Sequence, residues 1–192
     1  MRLKIGLAAL AAVALMAFVA ASASATTLEI GGVAQNKSVT MTATLEPGGS
    51  VITRTTGESF VNTCTEATLH GSTSSPFTGT KVTGAWATKA YSKCTEESLV
   101  VDNKGGFWIE WIPGTTEGDV FDEGSEVTVP TPFGKVNCKT GAGTKIGRLT
   151  GVASGKAKID LNGVMNCGFL LPSVIIQGTL VVTSPAGFGV TS

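Results

Sequence analysis

The sequence predicts an all-β protein, a single-domain antiparallel β-sandwich with two disulfides, with a partly closed β-barrel as the alternative. Many short segments alternate apolar and polar residues with the period of two that is typical of strands, and turn residues separate them. No window of helical length carries an apolar stripe at spacings of three and four residues. The four cysteines delimit two segments of nearly equal length, Cys64–Cys94 and Cys138–Cys167. Together these features favour a layered β domain stabilised by crosslinks.

The first 25 residues have the form of a secretory signal peptide. Arg2 and Lys4 form a short positive region, Ile5–Ala21 is almost wholly apolar, and Ala23-Ser24-Ala25 is a small-x-small cleavage site. We expect cleavage after Ala25, which leaves one domain over residues 26–192. The alternative is an uncleaved anchor helix, because the apolar run is at the short limit for crossing a bilayer.

The mature chain is expected to be secreted, with no membrane attachment after signal cleavage. No cysteine follows the apolar run closely enough for lipid modification, and Ser184–Ser192 has neither an apolar anchor nor a basic stop. Loss of Arg2 and Lys4 leaves 12 of the 14 basic side chains against 14 acidic ones, a net charge of −2. Nucleic acid is excluded as a partner, because that affinity comes mostly from clustered lysine and arginine.

The cysteines are predicted to be oxidised, because an even number of them follows a secretory signal. Four cysteines permit three pairings, and the sequence alone does not select one. We favour Cys64 with Cys94 and Cys138 with Cys167, which close two loops of about 30 residues, each contributing roughly 3–4 kcal/mol. A crossed pairing would join the two halves of the chain instead. Zinc is disfavoured because no Cys-x-x-Cys spacing occurs.

The strands follow from the alternation, taken in chain order. They are predicted over Thr26–Lys37, Val39–Leu45, Val51–Thr55, Thr65–His70, Lys81–Lys93, Leu99–Val101, Phe107–Trp111, Glu126–Val129, Gly134–Cys138, Lys145–Leu149, Val152–Leu161 and Val174–Val182. The second strand alternates apolar residues with threonines, whereas the first is short and weakly patterned and reads as an edge strand. In the long strand after residue 80, we expect Lys81, Lys89 and Lys93 to face water. The final strand has the strongest pattern.

The turn residues predict where the chain reverses. Glu46–Gly49 is predicted to turn the chain so that Val51–Thr55 returns along the preceding strand. Asp102–Gly106 is predicted to be the turn of a hairpin. The acidic span Glu117–Glu126 is predicted to be a loop.

Catalytic motifs are missing. The chain has one histidine, His70, and no Gly-x-Ser-x-Gly, His-Glu-x-x-His or phosphate-binding glycine loop. A serine hydrolase needs a base beside its nucleophile, and a lone histidine at a strand end is more typical of a surface residue. We therefore expect a protein that is not an enzyme and has no cofactor.

A candidate ligand-binding pair lies in the segment Phe107–Trp111. Strand alternation places Trp108 and Glu110 on one face and Phe107, Ile109 and Trp111 on the other. If the second set is core, the first set forms an exposed aromatic and carboxylate pair that suits a sugar ring and its hydroxyls. The interpretation favoured by the usual burial of large aromatics is that both tryptophans cap opposite ends of the core.

The acidic span offers calcium candidates of low specificity. They are Glu117, Asp119, Asp122 and Glu123. Their spacing does not match the twelve-residue calcium loop of helix-loop-helix proteins. A solvated acidic turn is the favoured interpretation, so no metal site is predicted.

Several structural motifs carry a resemblance. They are the Cys-Thr-Glu opening at Cys64, the strand ending in Cys-Thr at Cys94, the Asn-Cys at Cys167 that precedes Leu-Pro-Ser, and the closing Val181–Pro185. With the secretory signal, they make the chain resemble a group of uncharacterised secreted β-rich proteins of high-GC Gram-positive bacteria. The resemblance implies a small exported β domain and no catalytic residue.

The functional expectation is a secreted β domain with a non-enzymatic binding or structural role at or outside the cell surface. Its expected partner is a cell-envelope glycan or an extracellular protein. One alternative is a secreted hydrolase that uses carboxylates such as Glu110 and Asp119. The other is an inhibitor of an extracellular enzyme, presented on the loop of residues 72–79.

Overall fold

The computed structural model describes residues 25–57, 60–75, 79–131, 134–150, 156–169, 171 and 173–192. The described residues form strands and turns and contain no helix, so the all-β prediction is confirmed. Accordingly, none of their segments is a helix long and apolar enough to cross a bilayer. The predicted signal peptide, residues 1–25, lies outside the described residues except for Ala25.

Fifteen strands run through the described residues. They are β1 (Thr27–Ile30), β2 (Val33–Ala34), β3 (Thr40–Leu45), β4 (Val51–Thr55), β5 (Val61–Thr73), β6 (Val82–Cys94), β7 (Val100–Asn103), β8 (Gly106–Trp111), β9 (Gly118–Glu123), β10 (Glu126–Thr131), β11 (Gly134–Lys139), β12 (Ala142–Thr150), β13 (Lys158–Asn166), β14 (Ser173–Ser184) and β15 (Phe188–Thr191). Alternating burial along most of them reproduces the period of two in the sequence.

Strand β14 closes the main sheet into a barrel. It pairs with β13 along one side, and with β4 and then β3 along the other. The ring passes through β3 with β4, then β5, β6, β8, β9, β12, β13 and β14, which is an eight-strand closed barrel with extra strands. The predicted sandwich is therefore wrong, and the alternative barrel is nearer. The reason is that a sandwich and a barrel share the same alternation of apolar and polar residues. They differ in whether the strands at the two ends of the sheet pair with each other, as β14 does with β3 and β4.

Strands β3 and β4 form one interrupted strand. Both are antiparallel to β5, so they run in the same direction. The segment Glu46–Ser50 leaves the sheet and rejoins it, with the Glu46 N–H donating to the Thr179 carbonyl (3.0 Å) and the Gly49 N–H to the Glu46 carbonyl (2.8 Å). The predicted return of Val51–Thr55 is thus wrong, because this turn inserts a short excursion instead of reversing the chain.

Three further strands are interrupted in the same way. Strands β7 and β8 are both antiparallel to the run of β9 and β10, and that run is antiparallel to β11 and β12. The breaks at residues 104–105, 124–125 and 140–141 therefore lie side by side. The predicted hairpin at Asp102–Gly106 is wrong because the chain continues forward there. The predicted acidic loop Glu117–Glu126 is wrong because most of it is β9.

The barrel interior is filled by apolar side chains. Trp86 and Phe107 form an aromatic pair with ring centroids 4.3 Å apart. A Cβ added at Gly84 would lie 2.3 Å from Phe107 Cζ, so this strand position requires glycine for close packing. Strands β2, β1 and β15 form a small separate sheet near the end of the barrel where β9 begins, and a Cβ at Gly118 would contact Val190 of that sheet at 2.8 Å.

Both predicted disulfides are present. Cys64–Cys94 joins directly paired residues of β5 and β6, and Cys138–Cys167 joins β11 to the residue that follows β13. No cysteine is free. Both crosslinks lie toward the barrel end where β5 begins and β13 ends. Two intramolecular disulfides fit an oxidising compartment such as the cell exterior.

Replacing both members of either disulfide by alanine should lower the free energy of unfolding by about 3 kcal/mol, because each closes a loop of similar length. The sequence separations are 30 and 29 residues, so the two double variants should lose nearly the same amount in urea denaturation. Non-reducing peptide mapping of the native chain is the control for the pairing. A crossed pairing in the map, or a loss confined to one disulfide, would contradict this expectation.

Candidate functional site

Strand β8 presents the predicted aromatic and carboxylate pair on the outside of the barrel. Phe107 and Ile109 are 0% and 2% exposed and point inward. Trp108 and Glu110 point outward, as the alternation predicts, and both are half-buried. Trp111 is also only half-buried, and its Nε1 donates to the Thr115 carbonyl (2.6 Å). The interpretation that both tryptophans cap the core is thus wrong for Trp108, which lies outside the barrel wall.

Three neighbours hold the Trp108 ring. Phe121, its cross-strand partner on β9, stacks on it with centroids 5.1 Å apart and an interplanar angle of 11°. Lys81 Nζ lies 4.3 Å from the ring centroid, and Trp108 Nε1 donates to Glu110 Oε1 (3.0 Å). Since β6 and β9 flank β8 on opposite sides, the aromatic ring and the ammonium approach from opposite sides. The indole is therefore held by contacts with Phe121, Lys81 and Glu110.

Two carboxylates adjoin this stack. Glu110 and Asp119 are direct cross-strand partners on β8 and β9, and side chains so paired have Cβ atoms about 4.5–5.5 Å apart. Asp119 also forms an ion pair with Lys145 (2.8 Å). We call the outward-facing set Lys81, Trp108, Glu110, Asp119 and Phe121 the Trp108 surface. It offers an aromatic ring and hydroxyl-accepting oxygens on a solvent-facing wall.

The calcium candidates are not brought together. Glu117 pairs with Arg148 (Nε to Oε2, 3.2 Å) and Asp119 with Lys145, whereas Asp122 points into the barrel and Glu123 is exposed. Strand alternation separates neighbouring carboxylates onto opposite faces. Within the described ranges, no group of three His, Cys, Asp or Glu side chains is placed to hold a metal ion.

Sequence reasoning missed an ion pair inside the barrel. Lys89 Nζ lies 2.8 Å from Asp122 Oδ2, and the two side chains are 6% and 2% exposed. The Ser125 N–H (2.7 Å) and the Thr140 hydroxyl (2.6 Å) donate to Asp122 Oδ1, and Lys89 Nζ also donates to the Ser125 hydroxyl. We call Lys89, Asp122, Ser125 and Thr140 the Asp122 network. A carboxylate and an ammonium are thus buried with hydrogen-bonding partners for both.

The Asp122 network ties together the three neighbouring strand interruptions. The Ser125 hydroxyl lies 2.8 Å from the Lys104 carbonyl oxygen, and the Thr140 N–H donates to the Ser125 carbonyl (2.9 Å). Gly105 has a φ of +63°, and a Cβ there would meet the Ser125 nitrogen at 2.9 Å. The polar groups that the interruptions expose are in this way bonded to each other.

The predicted exposure of Lys89 is wrong because β6 contains a bulge. His70 pairs with Thr88 but Gly71 pairs with Trp86, so one extra residue on β6 shifts the alternation. A shift of one residue moves every later side chain to the other face. The sequence did contain one signal for an inward-facing Lys89. This lysine lies two residues before Tyr91, so both side chains share one face of the strand, and Tyr91 is buried.

The surroundings shift the pKa of both charged groups. Burial would raise the pKa of the Asp122 carboxyl, but the attraction of Lys89 and the hydrogen bonds from Lys89, Ser125 and Thr140 outweigh it and hold this pKa below its usual range. Burial lowers the pKa of Lys89, against the opposing attraction of Asp122. Burial, aided by the negative charge of Asp122, raises the pKa of Tyr91. The network therefore links β6 to the residues that follow β9 and β11 by charge and hydrogen bonds.

Asp122→Asn should lower the free energy of unfolding by about 3–5 kcal/mol at neutral pH, because it leaves a buried ammonium without its counterion. The matched control is Glu126→Gln, which removes the solvent-exposed pair with Lys139 and should have a much smaller effect. Replacing Lys89 by Met together with Asp122 by Leu should recover much of the loss, since apolar pairs often substitute for buried ion pairs.

The pH dependence has a defined sign. Because the folded-state pKa of Asp122 is lowered, its contribution is present above the unfolded-state pKa of an aspartate and is lost as pH falls through the folded-state pKa. The stability difference between the native chain and Asp122→Asn should therefore shrink on acidification in urea titrations. A difference that stays constant down to strongly acidic pH would contradict the ion pair.

Comparison with protein-family models, with curated proteins and with solved structures found no match. No activity, ligand or partner is therefore carried over to this chain from another protein.

Proposed function

We propose that this protein is exported and binds carbohydrate of a cell envelope, without catalysis, through the Trp108 surface. The observation that carries the proposal is the stack of Trp108 on Phe121 beside Glu110 and Asp119 on the outer wall. Aromatic faces pack against the C–H faces of sugar rings, and carboxylates accept the hydrogens of sugar hydroxyls.

Lys81 acts as a removable cover in this proposal. Its ammonium lies over the indole, and a contact of this kind between half-buried side chains contributes about 0.5–2 kcal/mol. A sugar ring that stacks on Trp108 takes the place of the ammonium, which remains hydrated on its flexible stem. Glu110, already oriented by the indole N–H, then accepts a hydroxyl hydrogen.

Several features support a setting outside the cell. The two disulfides suit an oxidising compartment, and residues 1–25 have the form of a signal peptide. A near-neutral mature chain suits an uncharged ligand better than a polyanion.

Trp108→Ala should weaken glycan binding roughly tenfold or more, because it removes the stacking ring. Lys81→Ala is the matched variant on the same surface and should leave binding unchanged or strengthen it, because it uncovers the ring. A glycan array and a peptidoglycan pull-down measure both, with thermal unfolding as the folding control. Empty results for the native chain in both assays, or equal binding by Trp108→Ala, would remove the proposal.

A carboxylate-dependent hydrolase is the second candidate, favoured by the placement of Glu110 opposite Asp119 on adjacent strands. Glu110→Gln and Asp119→Asn should then each lower glycosidase activity at least about a hundredfold. Activity that survives in both variants would end this alternative. The inhibitor alternative gains no support from described contacts, since Ser72 and Thr73 belong to β5 and residues 76–78 lie outside the described part.

A further inference from the structure

The interruption between β3 and β4 leaves a gap in the barrel wall. Thr44 pairs with Thr68 and Val51 with Cys64, so residues 65–67 of β5 have no strand partner on that side. An open groove of about 320 Å³ lies here. We call it the Thr65 groove, and its lining residues are Thr44, Leu45, Thr65, Glu66, Ala67, Thr68, Ala90 and Ser92. It is separate in residues from the Trp108 surface.

The groove combines hydroxyls, one carboxylate and small apolar patches. Glu66 is its charged group, paired with Lys93 (2.6 Å) and accepting the Ser92 hydroxyl (3.1 Å). The hydrogen bond from Lys93, followed by that from Ser92, lowers the pKa of Glu66, so the carboxylate stays ionised as an acceptor. The pairing makes the groove neutral overall while it keeps strong hydrogen-bonding capacity.

Lys93, which pairs with Glu66 beside the groove, has an unusual backbone conformation. Its φ of +52° makes it the one residue other than glycine with positive φ in the described part of the chain. The Thr65 hydroxyl donates to the Lys93 carbonyl (3.2 Å), which bonds the kink to the groove lining. Such conformations cost free energy and cluster at functional sites.

We propose that the Thr65 groove binds one neutral, sugar-sized polyhydroxylated molecule, such as the terminal monosaccharide of a glycan. The volume lies at the small end of the roughly 300–1,000 Å³ typical of ligand sites. Thr44 and Thr68 supply hydroxyls that can donate or accept, the Ser92 hydroxyl, which donates to Glu66, can accept, and Glu66 accepts hydrogens from ligand hydroxyls. The half-buried Leu45 and the exposed Ala90 suit the C–H groups of the ring. The choice of ligand class rests on the proposed carbohydrate-binding function.

Other ligand classes fit less well. A phosphate or carboxylate ligand needs an unpaired cation, whereas Lys93 is engaged by Glu66. A metal ion needs several oxygen ligands of high charge, and the lining holds one carboxylate. An extended peptide that adds to a sheet edge needs more than the three unpaired residues 65–67.

The test is a titration of the folded chain with glucose, galactose, mannose and N-acetylglucosamine, followed by backbone amide chemical shifts. At least one sugar should shift the amides of Ala67, Thr68 and Ala90. Thr68→Val removes one hydroxyl at nearly constant shape and should weaken binding at least about tenfold, and Ser92→Ala should act in the same direction. Thr183→Val, on the exposed end of β14, is the matched control and should bind as the native chain does.

The outcomes separate the two sites. Trp108→Ala should leave the shifts of the groove amides intact, whatever it does to binding on the glycan array. No shift of groove amides with any of the four sugars at millimolar concentration would overturn the groove proposal and leave the Trp108 surface to be judged by its own variants. Shifts that are equal in Thr68→Val and the native chain, or that disappear in Trp108→Ala, would also overturn it.

Discussion

A carboxylate inside a barrel is stable only where charge and hydrogen bonds replace the water it has lost, and Asp122 meets this requirement with groups from several strands. Lys89 of β6 neutralises it, and donors that follow β9 and β11 bond to it. These donors come from strand interruptions, so the ion pair and the breaks depend on each other. These bonds join β6 to the neighbouring interruptions beside β8, β9 and β12.

The inward position of Asp122 also determines which side chains of β9 face outward. Once Asp122 points inward, its neighbour Phe121 must point outward, where it stacks on Trp108 from the adjacent strand. The same alternation sets Glu110 opposite Asp119 on the surface. The buried ion pair of Lys89 and Asp122 is therefore linked, through the alternation of β9, to the orientation of the aromatic and acidic groups of the Trp108 surface.

The strand interruptions differ in how their backbone polar groups are bonded on the two sides of the barrel. Beside β9, the breaks lie close together and their polar groups bond to one another through Ser125 and Thr140. Between β3 and β4, the excursion bonds to β14 at Thr179 but leaves residues 65–67 of β5 without a strand partner on that side, which opens the Thr65 groove. The breaks beside β9 are thus closed by hydrogen bonds between neighbouring interruptions, whereas the break between β3 and β4 leaves an open groove in the wall.

The sequence by itself determined local properties: the strands, the inward Phe107 and outward Trp108, and a cysteine spacing that suits the observed disulfides. These depend on a period of two over a few residues and on loop length, both of which are readable along the chain. Only the tertiary structure decided that the sheet closes into a barrel, that β4 continues β3, and that Lys89 and Asp122 meet inside. A bulge of one residue reverses the facing of Lys89, and the pairing of β14 with β3 joins residues more than a hundred positions apart, so neither follows from local pattern.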